Sequence, residues 1–193
     1  MSGNKIKALI FGFAFTVFHS FTNFSINSHS ITQKVLRIHI IPNSDAPEDQ
    51  ILKIKIKDRI LSEHKENLSN LKNLIQAKNY IFQNINNINK TIKEEIINNN
   101  LNYSFKTEFI NNMYFGTRYY ENTVFPAGDY QALRITLGKG TGKNWWCVLF
   151  PSICLSSASE QTKTEEVFTP AEQEIITSPK KYKIKFKILE ILT

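Results

Sequence analysis

Residues 35–41 read VLRIHII, a short β-branched stretch that ends at the turn-forming sequence PNSD of residues 42–45. Alternation along this stretch places three aliphatic side chains on one face of a strand and the polar pair Arg37 and His39 on the other. We therefore predict that the folded part of the chain begins with this strand.

The sequence directly after the strand predicts a helix from about Pro47 to His64. Asp45 can cap this helix, Pro47 suits its first turn, and Glu48 stands three residues after the cap, as in a capping box. Residues 52–57 (LKIKIK) alternate with period two, which favours a strand. We choose the helix because its start signals are good and because the helical pattern continues beyond residue 57.

The remaining pattern predicts an α+β domain with helices packed on one face of a mainly antiparallel sheet. Residues 67–99 have helical spacing, with poor helix formers at 84–89 that can split the segment in two. Apolar or alternating stretches predict further strands, at residues 103–109, 130–137, 145–150 and 181–188.

The C-terminal part carries two further patterns. Residues 156–178 are polar and acid-rich, which indicates a flexible excursion. Residues 181–188 place lysines on one face of the predicted last strand, which suits a solvated edge. A basic membrane-surface segment is the rival interpretation, disfavoured because period two is not the pattern of an amphipathic helix.

The N-terminus has the pattern of a targeting segment. Lys5 and Lys7 precede an apolar run of eleven residues, 8–18, which is the length of a secretory core and shorter than the roughly 20 residues of a membrane span. We predict a signal peptide or weak membrane anchor over residues 1–24, a polar tether over 25–34 and one domain over 35–193. Cleavage of the segment stays open, and a buried helix of a cytosolic domain is the alternative.

Composition excludes several functional classes. The chain of 193 residues has a formal net charge of +7, but it contains two cysteines, four histidines and seven glycines. A disulfide-dense scaffold and a four-cysteine zinc site are excluded, and we expect neither a metal nor another cofactor. The positive charge comes without a nucleic-acid-binding motif, so nucleic acid is not an expected partner. The loop GKGTGK of residues 138–143 lacks P-loop spacing.

The two cysteines leave two possibilities open. Cys147 with His39 would supply a nucleophile and a base, although a lone cysteine beside two tryptophans is more often a small buried hydrophobe. Cys147 and Cys154 would form a disulfide only if a wide turn brought them together.

Trp145 and Trp146 point to opposite faces of their predicted strand. One of them can anchor the core, and the other is then partly exposed beside Lys143 and Asn144. An exposed tryptophan next to a flexible loop resembles a binding hot spot, and a tryptophan covered by lipid or by a loop is the alternative.

Three strings together resemble the stage II sporulation protein R family of spore-forming Gram-positive bacteria. They are RIHIIPNSDAPEDQ at 37–50, FPAGDYQALRITLG at 125–138 and GKNWWCVLFP at 142–151, the last being the most specific. The chain departs from the family pattern at turns, with Gly116 where proline is common, Ser152 in place of a second proline, and no glycine at 98–100.

The resemblance implies an intercellular signal. Such proteins are made in the forespore and exported towards the space between forespore and mother cell, where they trigger a membrane-embedded aspartic protease of the mother cell to process pro-sigma E. The chain would then be a ligand and not an enzyme, with a secreted thiol-dependent Cys/His enzyme as the alternative. We expect the contact surface to include Arg37, His39, Asn43, Asp45, Arg134, Lys143, Asn144, Trp145 and Trp146.

Overall fold

The computed structural model describes residues 3–120, 123–151 and 167–193. The helices are α1 Gly3–Thr32, α2 Pro47–Ser69, α3 Leu74–Asn98, α4 Pro170–Thr177 and α5 Pro179–Leu192. The strands are β1 Leu36–Ile41, β2 Phe105–Phe115, β3 Arg118–Tyr120, β4 Thr123–Phe125, β5 Gly128–Leu137 and β6 Trp145–Phe150.

The described residues group into two compact units. The sheet unit contains Gln33–Tyr114 and Asp129–Phe168, and the helical unit contains Met1–Thr32, Phe115–Gly128 and Thr169–Thr193. Each unit is described by itself below.

The sheet unit is built on four strands in the order β2-β5-β1-β6. β1 pairs in parallel with β5 and antiparallel with β6. The backbone N–H of Gly138 donates to the carbonyl of Ser104, and Arg134 contacts Glu108, so residue numbers fall on β2 as they rise on β5 and this pair is antiparallel. The expected α+β class is confirmed, with β1 and β5 as the parallel exception in a mainly antiparallel sheet.

β1 lies at the centre of the core. Leu36, Ile38 and Ile40 have no exposed surface, and they lie on the sheet face that α2 and α3 cover. On this face Phe82 of α3 packs against Phe109 of β2, with ring centroids 5.0 Å apart. Arg37 and His39 on the other face of β1 are buried as well, so the predicted alternation separates two covered faces rather than a buried face and a solvent-exposed face.

α2 and α3 form a helix pair held by apolar and ionic contacts. α3 is continuous through residues 84–89, where the sequence allowed a break, because its buried residues recur at helical spacing, at Ala77, Ile81, Ile88, Ile92 and Ile96. Arg59 of α2 reaches Glu94 at 2.5 Å and Glu95 at 3.1 Å on α3. The segment expected over 67–99 therefore divides earlier, because residues 67–69 belong to α2.

The helix expected after β1 is confirmed, but its predicted capping box is wrong. α2 begins at Pro47 with Ala46 at the N-cap, and no side chain caps it. The carboxylate of Asp45 instead accepts a hydrogen bond from the backbone N–H of Lys143 at 2.6 Å. A contact distant in sequence has outcompeted the local cap.

The helical unit corrects the prediction of a strand over 181–188. These residues form α5, whose Phe186 and Leu189 are buried. The ring of Phe24 in α1 stacks on Tyr182 at 5.5 Å and meets Phe186 edge-on at 5.2 Å. Residues 182, 186 and 189 recur at helical spacing, and burying them against α1 outweighs the local alternation.

Two other expected segments also prove helical. Residues 25–32, assigned to a polar tether, continue α1, and Ser28, Ile31 and Thr32 are buried. The end of the acidic excursion forms α4, which starts with a capping box between Thr169 and Glu172. The part of the excursion at residues 156–166 lies outside the described residues.

The two halves of α1 differ in environment. Asn4–Thr32 is long and apolar enough to cross a membrane by length and composition. Its first half exposes large apolar side chains to solvent, at Ile6, Leu9, Ile10, Phe11, Phe13, Phe15, Val17 and Phe18. Burial of this half within a cytosolic domain, the alternative considered above, is not what the structure shows, and an apolar N-terminal helix of this kind is consistent with an export signal or anchor.

Replacing Ile38 by alanine is expected to lower the free energy of unfolding by about 3–4 kcal/mol, because the change leaves a cavity in a fully buried strand. Ile75→Ala is the matched control, since Ile75 lies in α3 with 71% of its surface exposed, and it should change stability by less than about 0.5 kcal/mol. Urea denaturation of both variants measures the difference. Equal losses would contradict the placement of β1 in the core.

Candidate functional site

The predicted binding residues separate into two groups in the sheet unit. Arg134, His39 and Trp146 form a row across the sheet face opposite α2 and α3, which we call the transverse row, together with Glu108, which the sequence did not single out. The other group lies in and around the connection between β5 and β6, which we call the 138–144 loop.

The transverse row follows from strand register. His39 on β1 is paired with Arg134 on β5 and with Trp146 on β6. The guanidinium of Arg134 donates to the carboxylate of Glu108 on β2, at 2.8 Å from Nη2. The imidazole of His39 stacks on Trp146 with ring centroids 3.7 Å apart and planes 10° apart. Four strands thus each contribute one polar or aromatic side chain to a continuous row.

Arg37 lies beside this row on the same face of β1. It is fully buried, and its guanidinium carbon lies 4.8 Å from the centroid of the Tyr130 ring. A guanidinium over an aromatic face is a favourable cation–π contact that strengthens when water is excluded. Arg37 therefore has a packing role in the sheet unit.

Burial sets the protonation of His39. Loss of hydration, helped by the nearby positive charge of Arg134, lowers the pKa of His39 from 6.5 to about 4. The imidazole is therefore neutral at pH 7, which favours its close stacking on Trp146.

The structure does not bring Cys147 and His39 together as a catalytic pair. Cys147 is paired with Ile38 and so lies on the face covered by the helices, opposite to the face of His39. Cys147 is also disulfide-bonded, which leaves it no thiolate to act as a nucleophile. Cys154 lies outside the described residues.

The two tryptophans lie on opposite faces of β6, as the strand geometry predicts. Both are half-buried. Trp145 faces α2, where the ammonium of Lys57 lies 5.5 Å from its ring centroid. Trp146 belongs to the transverse row, so the two rings do not form one aromatic surface.

Asp49, in the first turn of α2, organises the chain that follows β1. Its carboxylate accepts hydrogen bonds from Asn43 Nδ2 at 2.8 Å, Ser44 Oγ at 2.6 Å and Tyr103 OH at 3.0 Å. Burial opposes the charged form, but these hydrogen bonds outweigh it and lower the pKa of Asp49, while burial and the same carboxylate raise the pKa of Tyr103. Asp49 is therefore a buried, ionised anchor.

Asn43 and Asp45 bind the backbone of the 138–144 loop. Asn43 Oδ1 accepts from the N–H of Lys139 at 2.9 Å, and the Asn43 carbonyl accepts from Thr141 Oγ1 at 2.8 Å. Asp45 accepts from the N–H of Lys143, and Lys53 Nζ donates to the carbonyl of Lys143 at 2.8 Å. These contacts fix the loop backbone and leave the side chains of Lys143 and Asn144 exposed.

Close packing explains the glycine at position 142. A Cβ added there would lie 2.1 Å from the carbonyl oxygen of Ser44, which is backbone and cannot move aside without shifting the turn after β1. The loop that the sequence marks as flexible is thus held closely against its neighbour.

Sequence reasoning missed Asp49, Lys53 and Tyr103 as parts of this arrangement. One sequence signal was available. Asp45 and Asp49 are four residues apart at the start of α2, and the glycine-rich segment 138–143 exposes backbone N–H groups that carboxylates can bind. Tyr103 lies between α3 and β2, 54 residues from Asp49 in the chain, so its contribution has no local signature. Among the described residues, no cluster of three or more histidine, cysteine, aspartate or glutamate side chains could hold a metal ion.

The fold and site define an α+β protein with an apolar N-terminal helix and a braced surface loop. The sequence model of the family "Stage II sporulation protein R" matches residues 32–160. Stage II sporulation protein R of Bacillus subtilis (strain 168) is 35% identical over 136 residues, which cover 70% of this chain and 60% of that protein. The chain belongs to the stage II sporulation protein R family, which supports a role in sporulation.

The chain therefore spans less than two thirds of the length of this relative. No solved structure matches the chain.

Gly142→Ala is expected to lower the free energy of unfolding by about 1–3 kcal/mol, because the new methyl group collides with the Ser44 carbonyl. Amide hydrogen exchange should accelerate at Lys139, Thr141 and Lys143, whose N–H groups are bonded to the turn after β1. Gly12→Ala is the control, since a Cβ at position 12 meets nothing within 4 Å. Unchanged exchange in the Gly142 variant would refute the braced loop.

Acidification from pH 7 to pH 4 is expected to destabilise the sheet unit through His39. Below pH 6.5 the unfolded state binds a proton that the folded state, with a pKa of about 4, does not bind, so stability falls as pH falls through this window. The contribution amounts to roughly 3 kcal/mol at pH 4. Denaturation of the wild type and of His39→Gln across this range measures it, and the same pH slope in both proteins would contradict it.

Proposed function

We propose that the chain is an exported signalling protein of sporulation. In this proposal it is made in the forespore, crosses towards the space between forespore and mother cell, and triggers a membrane-embedded aspartic protease of the mother cell that processes pro-sigma E. Family membership and the exposed apolar half of α1 support the proposal. The chain acts as a ligand and not as a catalyst.

A signalling ligand must bind the active state of its receptor better than the inactive state. Such discrimination favours a surface that is ordered before binding, because less conformational entropy is then lost in the complex. The 138–144 loop has this property, since three of its backbone groups are bonded to Asn43, Asp45 and Lys53.

The observation that carries the proposed contact surface is the exposure of Lys143 and Asn144 on this braced backbone. Asn43 and Asp45, which we expected among the contact residues, act in this proposal by positioning the loop. Trp145 and Trp146 directly follow the loop and are half-buried, so each ring adds only its exposed edge to the contact surface. Arg134 and Trp146 of the transverse row are half-buried and adjoin this surface, whereas Arg37 and His39 are buried and lie outside it in this proposal.

Co-expression of the full chain with the candidate protease and its pro-sigma substrate tests the surface. The double variant K143A/N144A is expected to reduce substrate cleavage at least tenfold. It removes the two exposed side chains that would contact the protease and leaves the backbone hydrogen bonds of the loop in place. K93A/N98A is the matched control: it removes one exposed lysine and one exposed asparagine from α3, outside the loop, and should leave cleavage unchanged.

Unchanged cleavage with K143A/N144A would refute this surface. Circular dichroism of both variants, with spectra equal to that of the wild type, shows that the fold is intact in each case.

A further inference from the structure

The outward face of α5 has no role in the function proposed above. We propose that α5 is an interfacial helix that binds the surface of an anionic lipid bilayer, beside the point at which α1 enters the membrane. The proposal goes beyond protease activation and does not depend on the identity of the receptor.

α5 carries apolar residues on two opposite faces, one buried and one exposed. Phe186 and Leu189 are buried within the helical unit. On the opposite face Ile184, Ile188 and Ile191 recur at the spacing of one helical stripe, and they are 77%, 40% and 74% exposed. A stripe of three exposed isoleucines needs a partner that accepts apolar side chains.

Lysines lie along both edges of this stripe. At 100° per residue, Lys180 and Lys187 flank the isoleucines on one side, with Lys183 further round on that side, and Lys181 flanks them on the other. The helix carries five lysines and one glutamate, which leaves four net positive charges on 14 residues. Lys181 pairs with Glu174, and Lys187 lies 3.6 Å from Glu190.

This arrangement matches a lipid surface with negative charge. Apolar side chains of an interfacial helix enter the acyl boundary, while lysine stems extend along the helix and keep their ammonium groups among the phosphates. Basic charge on both flanks of an apolar stripe suits a surface that is anionic everywhere. Protein–protein interfaces are by contrast depleted of lysine relative to the rest of the surface.

The position of α5 on α1 identifies the lipid bilayer as the occupant. Lys185 Nζ donates to the carbonyl of Ser20 at 3.1 Å and to its hydroxyl at 2.6 Å. The exposed apolar residues of α1 lie directly N-terminal to this contact, from Ile6 to Phe18.

The exposed apolar run of α1 ends at Phe18 and the polar residues His19 and Ser20 follow it, so insertion of this run places Ser20 where α1 leaves the hydrocarbon. Because Lys185 is bonded to Ser20, α5 lies at the same level. The isoleucine stripe and the lysines then meet the surface that α1 has entered.

Flotation of the full chain with vesicles tests the proposal. The partition coefficient is measured on phosphatidylcholine vesicles with and without roughly 30 mol % phosphatidylglycerol, at low and at high salt. The variant K180Q/K183Q/K187Q should lose about fivefold per lysine on the anionic vesicles, on the order of 100-fold in all. On neutral vesicles it should equal the wild type, because α1 is unchanged.

K65Q/K72Q/K93Q is the matched control, with the same loss of charge at exposed lysines of the sheet unit. It should partition like the wild type on both kinds of vesicle. A second variant, I184N/I188N/I191N, alters only exposed side chains and should lower partition to anionic vesicles at least tenfold.

If K180Q/K183Q/K187Q partitions to anionic vesicles as well as the wild type does, the proposal is overturned. An isoleucine variant that partitions normally but fails to activate the protease would also overturn it, since the stripe would then be a protein contact. The vesicles contain no protease, so the partition measurements themselves are independent of the proposed signalling function.

Discussion

Complete burial of β1 is the constraint on which the sheet unit depends. A strand with β5 on one side, β6 on the other and helices above it has to satisfy its backbone in two ladders and fill both faces. Its aliphatic face supplies the core under α2 and α3. Its second face must bury Arg37 and His39, and it does so by placing one over an aromatic ring and the other against a parallel ring.

The same strand leads directly into the braced loop. The chain leaves β1 at Ile41, turns through Asn43 and Asp45, and enters α2, so the residues that hold the 138–144 loop are fixed by the strand before them and the helix after them. Asp49 completes the arrangement because its charge is stabilised by three donors. The exposed side chains at positions 143 and 144 are thus carried by a backbone that is hydrogen-bonded to the turn after β1 and to α2.

Two lysine–isoleucine alternations show what the sequence could and could not predict. Residues 52–57 and residues 183–188 both alternate with period two, and both are helical. A run of six alternating residues also contains pairs four apart, so the local pattern does not separate strand from helix. Proline in the first turn separates the two structures in both cases, since Pro47 starts the helix of the first run and Pro179 starts the helix of the second.

The sequence could not predict the long-range contacts, for a different reason. The division of the expected contact residues into a transverse row and a loop depends on register between strands about 95 residues apart in the chain. Likewise, the local sequence predicts that Asp45 caps α2. The structure shows that its carboxylate binds the distant 138–144 loop instead. Residue types and alternation identified the faces of each strand, and only pairing could determine which residues share a row.

The pairing of β1 also bears on the order in which the chain is made and moved. The first strand to emerge from a ribosome or a translocation channel finds neither neighbour, because β5 and β6 follow some 90 to 110 residues later. Such high contact order makes closure of the core slow and late. A polypeptide threaded through a membrane from its N-terminus would therefore stay unfolded and transport-competent until nearly all of its sheet had passed.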